Sequence, residues 1–333
     1  MRLLRAEASR FAKRRLVRWG VLGLLAALAL VLAGVSQQSR PATAAARAAA
    51  GAEADRAYAA ALAEHRALVE RCRADRAAGR AAFAADPDCG VGAEPAREWY
   101  TAEGYLPYQL VFAREISAFM LLFTALLALL AVLLAASFIG AEWHSGGLAN
   151  LLLWRPQRGR VLAAKLTVAL AGTLVVGAVA AVLWVGAVWV LARYDGSLAG
   201  TTPGVLRSVG LDAARAVGLA LFAAAFAFCL ASVGRHTAAA FGAVLAVGLV
   251  SEVGVRFAVG VLRVPFPDRY LLSTYADAWL GKVTTIRAGD CLDAGCLLLT
   301  RDVHWYEALV VFGAGTALAA LAAFGTIGRR AIT

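Results

Sequence analysis

The chain has 333 residues, of which 61% are hydrophobic, and it carries a formal net charge of +11. Long uncharged apolar runs indicate a membrane protein, and because these runs do not alternate polar with apolar residues they exclude a transmembrane β-barrel. The positive charge requires no nucleic-acid partner, since the sequence contains no nucleic-acid-binding motif and attraction to anionic lipid accounts for the charge.

Six segments have about the 20 residues that a helix needs to cross a bilayer. Helices satisfy their own backbone hydrogen bonds in lipid. We therefore predict an all-α membrane protein with six transmembrane helices, at residues 19–36, 116–141, 166–192, 211–234, 237–262 and 306–328. The first segment could be read as a signal peptide, but its 18 uncharged residues exceed the roughly 7 to 15 of a signal peptide's apolar region.

Residues 1–18, before the first predicted span, mix cations with Leu3, Leu4, Phe11 and Leu16. This pattern predicts a basic amphipathic elbow helix on the inner membrane surface. A simple positively charged anchor is the alternative.

Residues 37–115 form a large segment between the first two spans, and much of it consists of the good helix formers Ala, Arg and Glu. Apolar and aromatic side chains recur in it at helical spacing, at Tyr58, Leu62, His65, Val69 and Cys72. We predict a helical domain in which this stripe packs either in an intramolecular hairpin or on a partner helix.

Charge asymmetry predicts the orientation. Fourteen of the 33 cations, but only the acids Glu7 and Glu142, lie in residues 1–18, in 142–165, between the fourth and fifth spans, and in the tail 329–333. These segments and both termini are therefore predicted to be cytosolic. Segments 37–115, 193–210 and 263–305 are predicted to be extracytoplasmic. The arginine and alanine bias suggests a GC-rich bacterial genome, so we expect a multi-pass protein of a bacterial plasma membrane.

Four of the five cysteines lie in predicted outer segments, at Cys72, Cys89, Cys291 and Cys296. Two outer pairs suit an oxidising exterior. Four cysteines allow three connectivities, of which we favour the local pairs, and metal binding by the same thiols is the weaker alternative because no C-x-x-C pair occurs. We predict no metal site.

Four charged residues lie within predicted spans, Asp212 and Arg215 in the fourth and Glu252 and Arg256 in the fifth. Charges in lipid are costly and usually paired. We predict one charge cluster, which is either a structural salt bridge between the two helices or a polar lining for a substrate path.

Signatures of enzymes are missing from the sequence. It has no H-E-x-x-H helix, no G-x-S-x-G turn and no G-x-x-x-x-G-K-[ST] phosphate loop, and its four histidines are scattered. We predict no catalytic residue and no cofactor bound by this chain. Any ATP that drives it must bind to another protein.

The segment Gly140 to Lys165 follows the second predicted span. Gly146 weakens the helix there, and Pro156 disfavours helical geometry at the residue before it. Between them, Leu148, Leu151 and Leu152 fall on one side of a short helix. We predict a helix lying across the inner surface, where a soluble partner could push it.

The same segment resembles the signature of the permeases of ATP-binding-cassette (ABC) transporters of the type 2 exporter family. The matching residues are Glu142, Gly146, Leu148, Leu151, Leu152, Pro156, Arg160 and Lys165. Six spans, cytosolic ends, an elbow helix and a large first outer loop are also similar to that family.

The resemblance implies that residues 142–165 contain a coupling helix that docks on a separate cytosolic ABC ATPase, which binds the ATP and magnesium. It implies that Glu142 and the segment Trp143 to Leu153 transmit force, and that permeases pair as a homodimer or pseudo-dimer. Arg158 and Arg160 would contact either the acidic surface of the ATPase or lipid headgroups. The apolar membrane domain suggests an amphipathic exported substrate.

Two other functions remain open. The chain could be a non-transporting membrane anchor or sensor whose outer domain binds a partner, or an ion-coupled carrier that uses Glu252.

Overall fold

The computed structural model describes residues 2–79, 91–147, 157–262, 264–288 and 299–329. Within these ranges, six helices are long and apolar enough to cross a membrane, which confirms a largely helical, multi-pass membrane protein. Each of the six contains or nearly contains one predicted span. The orientation of the chain and the membrane-surface position of an elbow helix stay predictions.

The helices and strands are numbered here in chain order. They are α1 Arg2–Lys13, α2 Arg15–Gln38, α3 Ala44–Ala77, α4 Ala102–Tyr105, α5 Phe112–His144, α6 Arg158–Asp195, α7 Pro203–Gly234, α8 Thr237–Leu249, a π-helical segment Val250–Val255, α9 Arg256–Leu262, α10 Leu272–Gly281, β1 Val283–Ala288, β2 Leu299–His304 and α11 Trp305–Arg329. Short 3₁₀ helices occupy Arg97–Trp99 and Pro267–Tyr270.

The described residues divide into two compact units. Unit 1 comprises Met1–Leu32, Ala113–Val188 and Gly200–Thr333, and unit 2 comprises Ala33–Phe112 and Trp189–Ala199. In unit 1 the most buried of the six apolar helices are α5 and α7, each with about half of its most apolar stretch buried. Large buried side chains, among them Phe123, Phe138, Trp184 and Phe228, fill the core around them.

In unit 2 the stripe predicted on α3 is half-buried, whereas the flanking positions are mostly exposed. Tyr58 packs on Tyr100, with ring centroids 5.7 Å apart, and His65, Val69 and Cys72 line a cavity together with Val91. The stripe therefore faces residues of its own unit, as the intramolecular alternative requires.

Ser39 joins three segments of unit 2. Its hydroxyl donates to the carbonyl of Asp195 at 2.6 Å and accepts from the Leu110 N–H at 3.0 Å. The Ser197 N–H donates to the Leu110 carbonyl at 2.7 Å, and Val111 forms a parallel bridge with Ser197. The backbone groups near the end of α6 are thus satisfied without a regular sheet.

The segment predicted as the 193–210 outer loop is shorter than expected. Thr202 caps α7, because its hydroxyl accepts from the Val205 N–H at 3.3 Å, and Pro203 is the first helical residue. Proline is favoured there because it has no N–H that needs a partner. Pro203 therefore begins α7.

The described parts of the predicted outer segment 263–305 include a β-hairpin, which an all-α prediction does not contain. Strands β1 and β2 pair antiparallel, from Val283 with His304 to Ala288 with Leu299. Ile286 and Val303 are buried against Ala278 of α10. The hairpin forms here because β-branched residues alternate between a face packed on α10 and a face open to solvent.

The fifth apolar helix, Thr237–Leu262, is interrupted by the π-helical segment. Such segments widen a helix by one residue and occur frequently at functional positions. Here the segment contains Ser251 and Glu252, which contact the start of α10.

Candidate functional site

A buried ionic network surrounds Lys165, near the start of α6. The ammonium group donates to Glu7 Oε2 at 2.6 Å and to Glu142 Oε2 at 2.5 Å. The side chain of Lys165 is 0% exposed, that of Glu7 1% and that of Glu142 13%. The lysine therefore joins α1, the end of α5 and the start of α6.

Arg14 extends the network between α1 and α2. Its guanidinium donates to Glu142 Oε1 at 3.2 Å and to the carbonyl of Ser137 at 2.9 Å. Burial lowers the pKa of Arg14 from its ordinary value, while Glu142 and Glu7 act in the opposite direction. Arg14 is the residue between α1 and α2. Its contacts therefore hold the point at which the first helix ends and the second begins.

Aromatic packing covers the network. Phe138 lies beneath both cations, with Arg14 Cζ 4.9 Å and Lys165 Nζ 5.3 Å from its ring centroid. Phe11 of α1 meets the same ring edge-on at 5.2 Å. Gly172 of α6 makes room for Phe11, because a Cβ at that position would overlap the phenyl ring.

Three cations surround two carboxylates in this network. The carboxylates of Glu7 and Glu142 face the cations Arg10, Arg14 and Lys165. Two carboxylates this close would repel each other in a dry environment without the lysine between them. Removing one partner from such a buried network is far more costly than the net contribution of the intact pair.

The four charged residues predicted to form one cluster fall into separate contacts. Arg215 pairs with Asp212 on its own helix at 3.4 Å, and Arg256 pairs with Asp268 at 3.7 Å. Glu252 accepts from the backbone N–H and the hydroxyl of Ser273, both at 2.8 Å. Within the described part of the chain, no hydrogen bond or ion pair joins the fourth-span pair to the fifth-span pair.

Part of the predicted coupling segment is visible. Trp143 lies against Arg235, whose Cζ is 4.9 Å from the tryptophan ring, and its buried Nε1 has no hydrogen-bond partner among the described residues. Gly146 has φ 69°, a left-handed conformation that favours glycine. Leu148, Leu151, Leu152 and Pro156 lie outside the described residues.

The two arginines of the segment are engaged within this chain. Arg158 donates to the carbonyl of Ile327 at 3.3 Å, and Arg160 donates to Gln157 Oε1 at 2.7 Å. Their predicted contacts with an ATPase or with lipid headgroups stay predictions.

The disulfide predictions fall mainly on residues outside the described ranges. Cys89, Cys291 and Cys296 are all outside them. Cys72 is disulfide-bonded, and Cys229 is free and buried. The bonding partner of Cys72 therefore lies beyond the described residues, and the pairing of Cys72 with Cys89 stays a prediction.

Comparison with known proteins adds no relative. No protein-family model matches the chain, and no curated protein matches it.

Glu7, Arg10 and Arg14 belong to the ionic network but were not predicted as site residues. Glu7 had a detectable signal, because it is the only acid among seven cations in the first 18 residues. An isolated carboxylate on a basic helix can be retained for a specific partner. Arg14 carried no such signal, since its neighbours Lys13 and Arg15 are also cations.

Proposed function

We propose that this chain is the transmembrane permease subunit of an ABC exporter and works with a separate cytosolic ATPase, which binds ATP and magnesium. The permease would assemble as a homodimer or pseudo-dimer in a bacterial plasma membrane and export an amphipathic substrate. Residues 142–165 would receive the ATPase, and the helices on either side would carry its movement into the membrane domain.

The observation that carries this proposal is the Glu142–Lys165 ion pair. Glu142 lies in the last turn of α5 and Lys165 in the second turn of α6, so the pair closes the two ends of the segment between them. Both residues also belong to the motif that resembles the exporter permeases. A force on the closed segment would move both helices together, and Glu7 would carry it to α1.

The ion-coupled carrier is less well supported by the surroundings of Glu252. A carboxylate that exchanges a proton or cation during transport has to release its other contacts. Both oxygens of Glu252 accept hydrogen bonds from Ser273 at the start of α10. This arrangement favours a structural role for the glutamate.

The proposal can be tested by purifying the tagged protein from its native membrane in mild detergent. The wild type should retain an ATPase subunit in stoichiometric amount. The Leu151→Asp/Leu152→Asp variant should lose it, because two carboxylates would oppose docking of an apolar helix face.

The control variant is Leu68→Asp, which places a carboxylate at an exposed position of α3. It should keep the ATPase. Melting curves of all three proteins show whether they are folded. If the well-folded wild type brings no ATPase, the coupling proposal is wrong and the anchor or ion-coupled carrier takes its place.

A further inference from the structure

Two cavities follow one another along α5 and α7 in unit 1. The first, of about 360 Å³, lies near the N-terminal ends of these helices, and the second, of about 310 Å³, lies further along them. Both are near the lower end of the roughly 300–1,000 Å³ typical of small-molecule sites. Helix α10 contributes residues to both cavities.

The first cavity is the more polar of the two. Its lining includes the polar or charged residues Ser117, Thr124, Ser208, Asp212, Asp277 and Lys282, beside the apolar residues Met120, Leu121 and Leu280. Asp212 is partly neutralised by Arg215. Asp277 makes no hydrogen bond or ion pair with another described residue, so its charge is available to a ligand.

Two further observations concern this cavity. Partial burial and, to a smaller extent, the nearby charge of Glu252 raise the pKa of Asp277, so the carboxylate form is not fully compensated by its surroundings. Lys282 has φ 73° and ψ −40°, a sparsely populated conformation for a residue with a side chain. Such strain is concentrated at functional positions.

The second cavity is apolar. Phe222 and Phe226 of α7, Val244 and Val247 of α8, and Phe312 of α11 are among the residues that line it. Thr316 is the one polar side chain among its described lining residues. A cavity of this kind accepts an alkyl chain and excludes a charged group.

Trp279 lies between the two cavities. Its Nε1 donates to the carbonyl of Arg215 at 2.8 Å, and its ring packs edge-on against Phe222 at 5.7 Å. Gly218 provides the space beneath the indole, because a Cβ there would approach Cζ2 to 3.1 Å. Asp212 and Phe226 are 14 residues apart on α7, about 21 Å along the helix.

We propose that these two cavities form one binding site for an amphiphile with a cationic headgroup. The headgroup would lie beside Asp277 and Asp212 in the polar cavity, and the alkyl chain would pass Trp279 into the apolar cavity. That this amphiphile is the exported cargo rests on the proposed permease function, whereas the binding itself does not.

The test uses the full chain in phosphatidylcholine nanodiscs, with empty nanodiscs as the reference for partitioning into lipid. Decyltrimethylammonium, decanol and decyl phosphate are titrated calorimetrically below their micelle concentrations. The wild type should bind the ammonium compound about fivefold more tightly than decanol, as expected for a partly exposed ion pair, and decyl phosphate most weakly. Equal affinities for the three headgroups would overturn the proposal.

Variants test the two halves of the site separately. Asp277→Asn should remove most of the preference for the ammonium compound, whereas Glu103→Gln, which neutralises an exposed carboxylate that lines neither cavity, should preserve it. An unchanged preference in Asp277→Asn would contradict the headgroup assignment.

Two glycines of α11 provide a matched pair for the apolar half. Gly315 lines the second cavity and Gly313 does not, and a Cβ at either position meets nothing within 4 Å. Gly315→Leu should weaken the binding of all three compounds, and Gly313→Leu should weaken the binding of none. Equal effects of the two variants would contradict the tail assignment.

The binding test and the ATPase copurification can fail independently. Selective binding without an ATPase partner would support the proposed binding site and contradict the proposed permease function. An ATPase partner without selective binding would keep the exporter and overturn this site.

Discussion

Lys165 is a charged residue whose side chain is fully buried. An ammonium group with no exposure to solvent is rare unless it is paired, and Lys165 has two carboxylate partners from distant parts of the chain. Two negative partners compensate the lost hydration more fully than one. Both Glu7 and Glu142 need the lysine, since each is largely removed from water.

Lys165→Met should lower the free energy of unfolding by about 3–5 kcal/mol, because it leaves two buried carboxylates without their shared cation. Arg160→Met, five residues earlier on the same helix, removes an exposed cation and should change stability by less than about 0.5 kcal/mol. Denaturant titration in mixed micelles measures both. Equal losses in the two variants would show that the network contributes nothing specific.

Asp277 should give the protein a pH-dependent weakness. A carboxyl whose pKa is raised in the folded state opposes folding when it is charged, and this penalty is fully present at neutral pH. The penalty disappears as the pH falls through the raised pKa towards the ordinary aspartate pKa of about 3.9.

Asp277→Asn should therefore melt at a higher temperature than the wild type at pH 7, with the difference shrinking towards pH 4. Glu64→Gln, which removes an exposed carboxylate of α3, should follow the wild type at every pH. Melting followed by tryptophan fluorescence across this pH range measures the effect. A difference that is constant with pH would contradict the assignment to Asp277.

At the scale of elements, α1 is attached to the membrane helices by one aromatic side chain as well as by charge. Phe11 is buried between Phe138 of α5 and the surface of α6 at Gly172. Interiors are close-packed, so even one added methyl group at this contact must displace the ring.

Gly172→Ala should destabilise the protein by about 1–3 kcal/mol through this overpacking. Gly186→Ala lies on the same helix with open space around the added methyl group, and it should stabilise by about 0.5–1 kcal/mol through helix propensity. The free energy of unfolding of each variant tests the pair. Stabilisation by both substitutions would mean that Phe11 does not pack as described.

Helix α10 begins with its N–H groups satisfied by another helix. Ser251 accepts from the Leu272 N–H at 2.9 Å, and Glu252 accepts from Ser273. A carboxylate at a helix N-terminus also interacts favourably with the helix dipole. The π-helical segment that contains both residues therefore caps the N-terminus of α10, although it belongs to a different helix of the chain.

Glu252→Ala should cost about 0.5–2 kcal/mol, as loss of a helix cap does, and Glu252→Gln should cost less because an acceptor oxygen is kept. Once the cargo is known, Glu252→Gln should also retain transport in membrane vesicles. Loss of transport in this variant without loss of stability would support the ion-coupled carrier.

The elements differ in how far the sequence could predict them. The six apolar helices were predictable because lipid leaves the chain one way to pair its backbone. The ends of these helices were harder to predict, since α5 and α6 continue beyond the apolar runs into polar sequence. The hairpin around Ile286 and Val303 was missed because its strands are short. Its alternation of buried and exposed side chains can be recognised only once α10 is known to cover one face.

Long-range contacts set the same limit on predicting the site. Glu142 and Lys165 were singled out from their spacing and their resemblance to a motif, but Glu7 meets Lys165 across 158 residues of sequence. One sequence contains no local signal for such a contact. The contacts of Glu252 with Ser273 and of Arg256 with Asp268 had no local signal either, since both partners lie in a segment that no apolar pattern marks.

At the scale of the whole molecule, the described contacts connect three features of the proposed exporter. The ionic network ties α1 to both ends of the 142–165 segment, α5 and α6 continue from those ends, and the two cavities lie along α5 and α7. A movement of the segment would therefore act on α5, which also forms part of the walls of the proposed binding site. Coupling by such packed helices requires a partner that pushes on the segment.

The most direct test is photo-crosslinking in native membranes with a photoreactive amino acid in place of Leu151. The account predicts an adduct between this chain and a protein that contains a G-x-x-x-x-G-K-[ST] phosphate loop, identified by mass spectrometry. If position 151 crosslinks only to lipid or to its own chain, the segment does not dock on an ATPase and the central claim is contradicted.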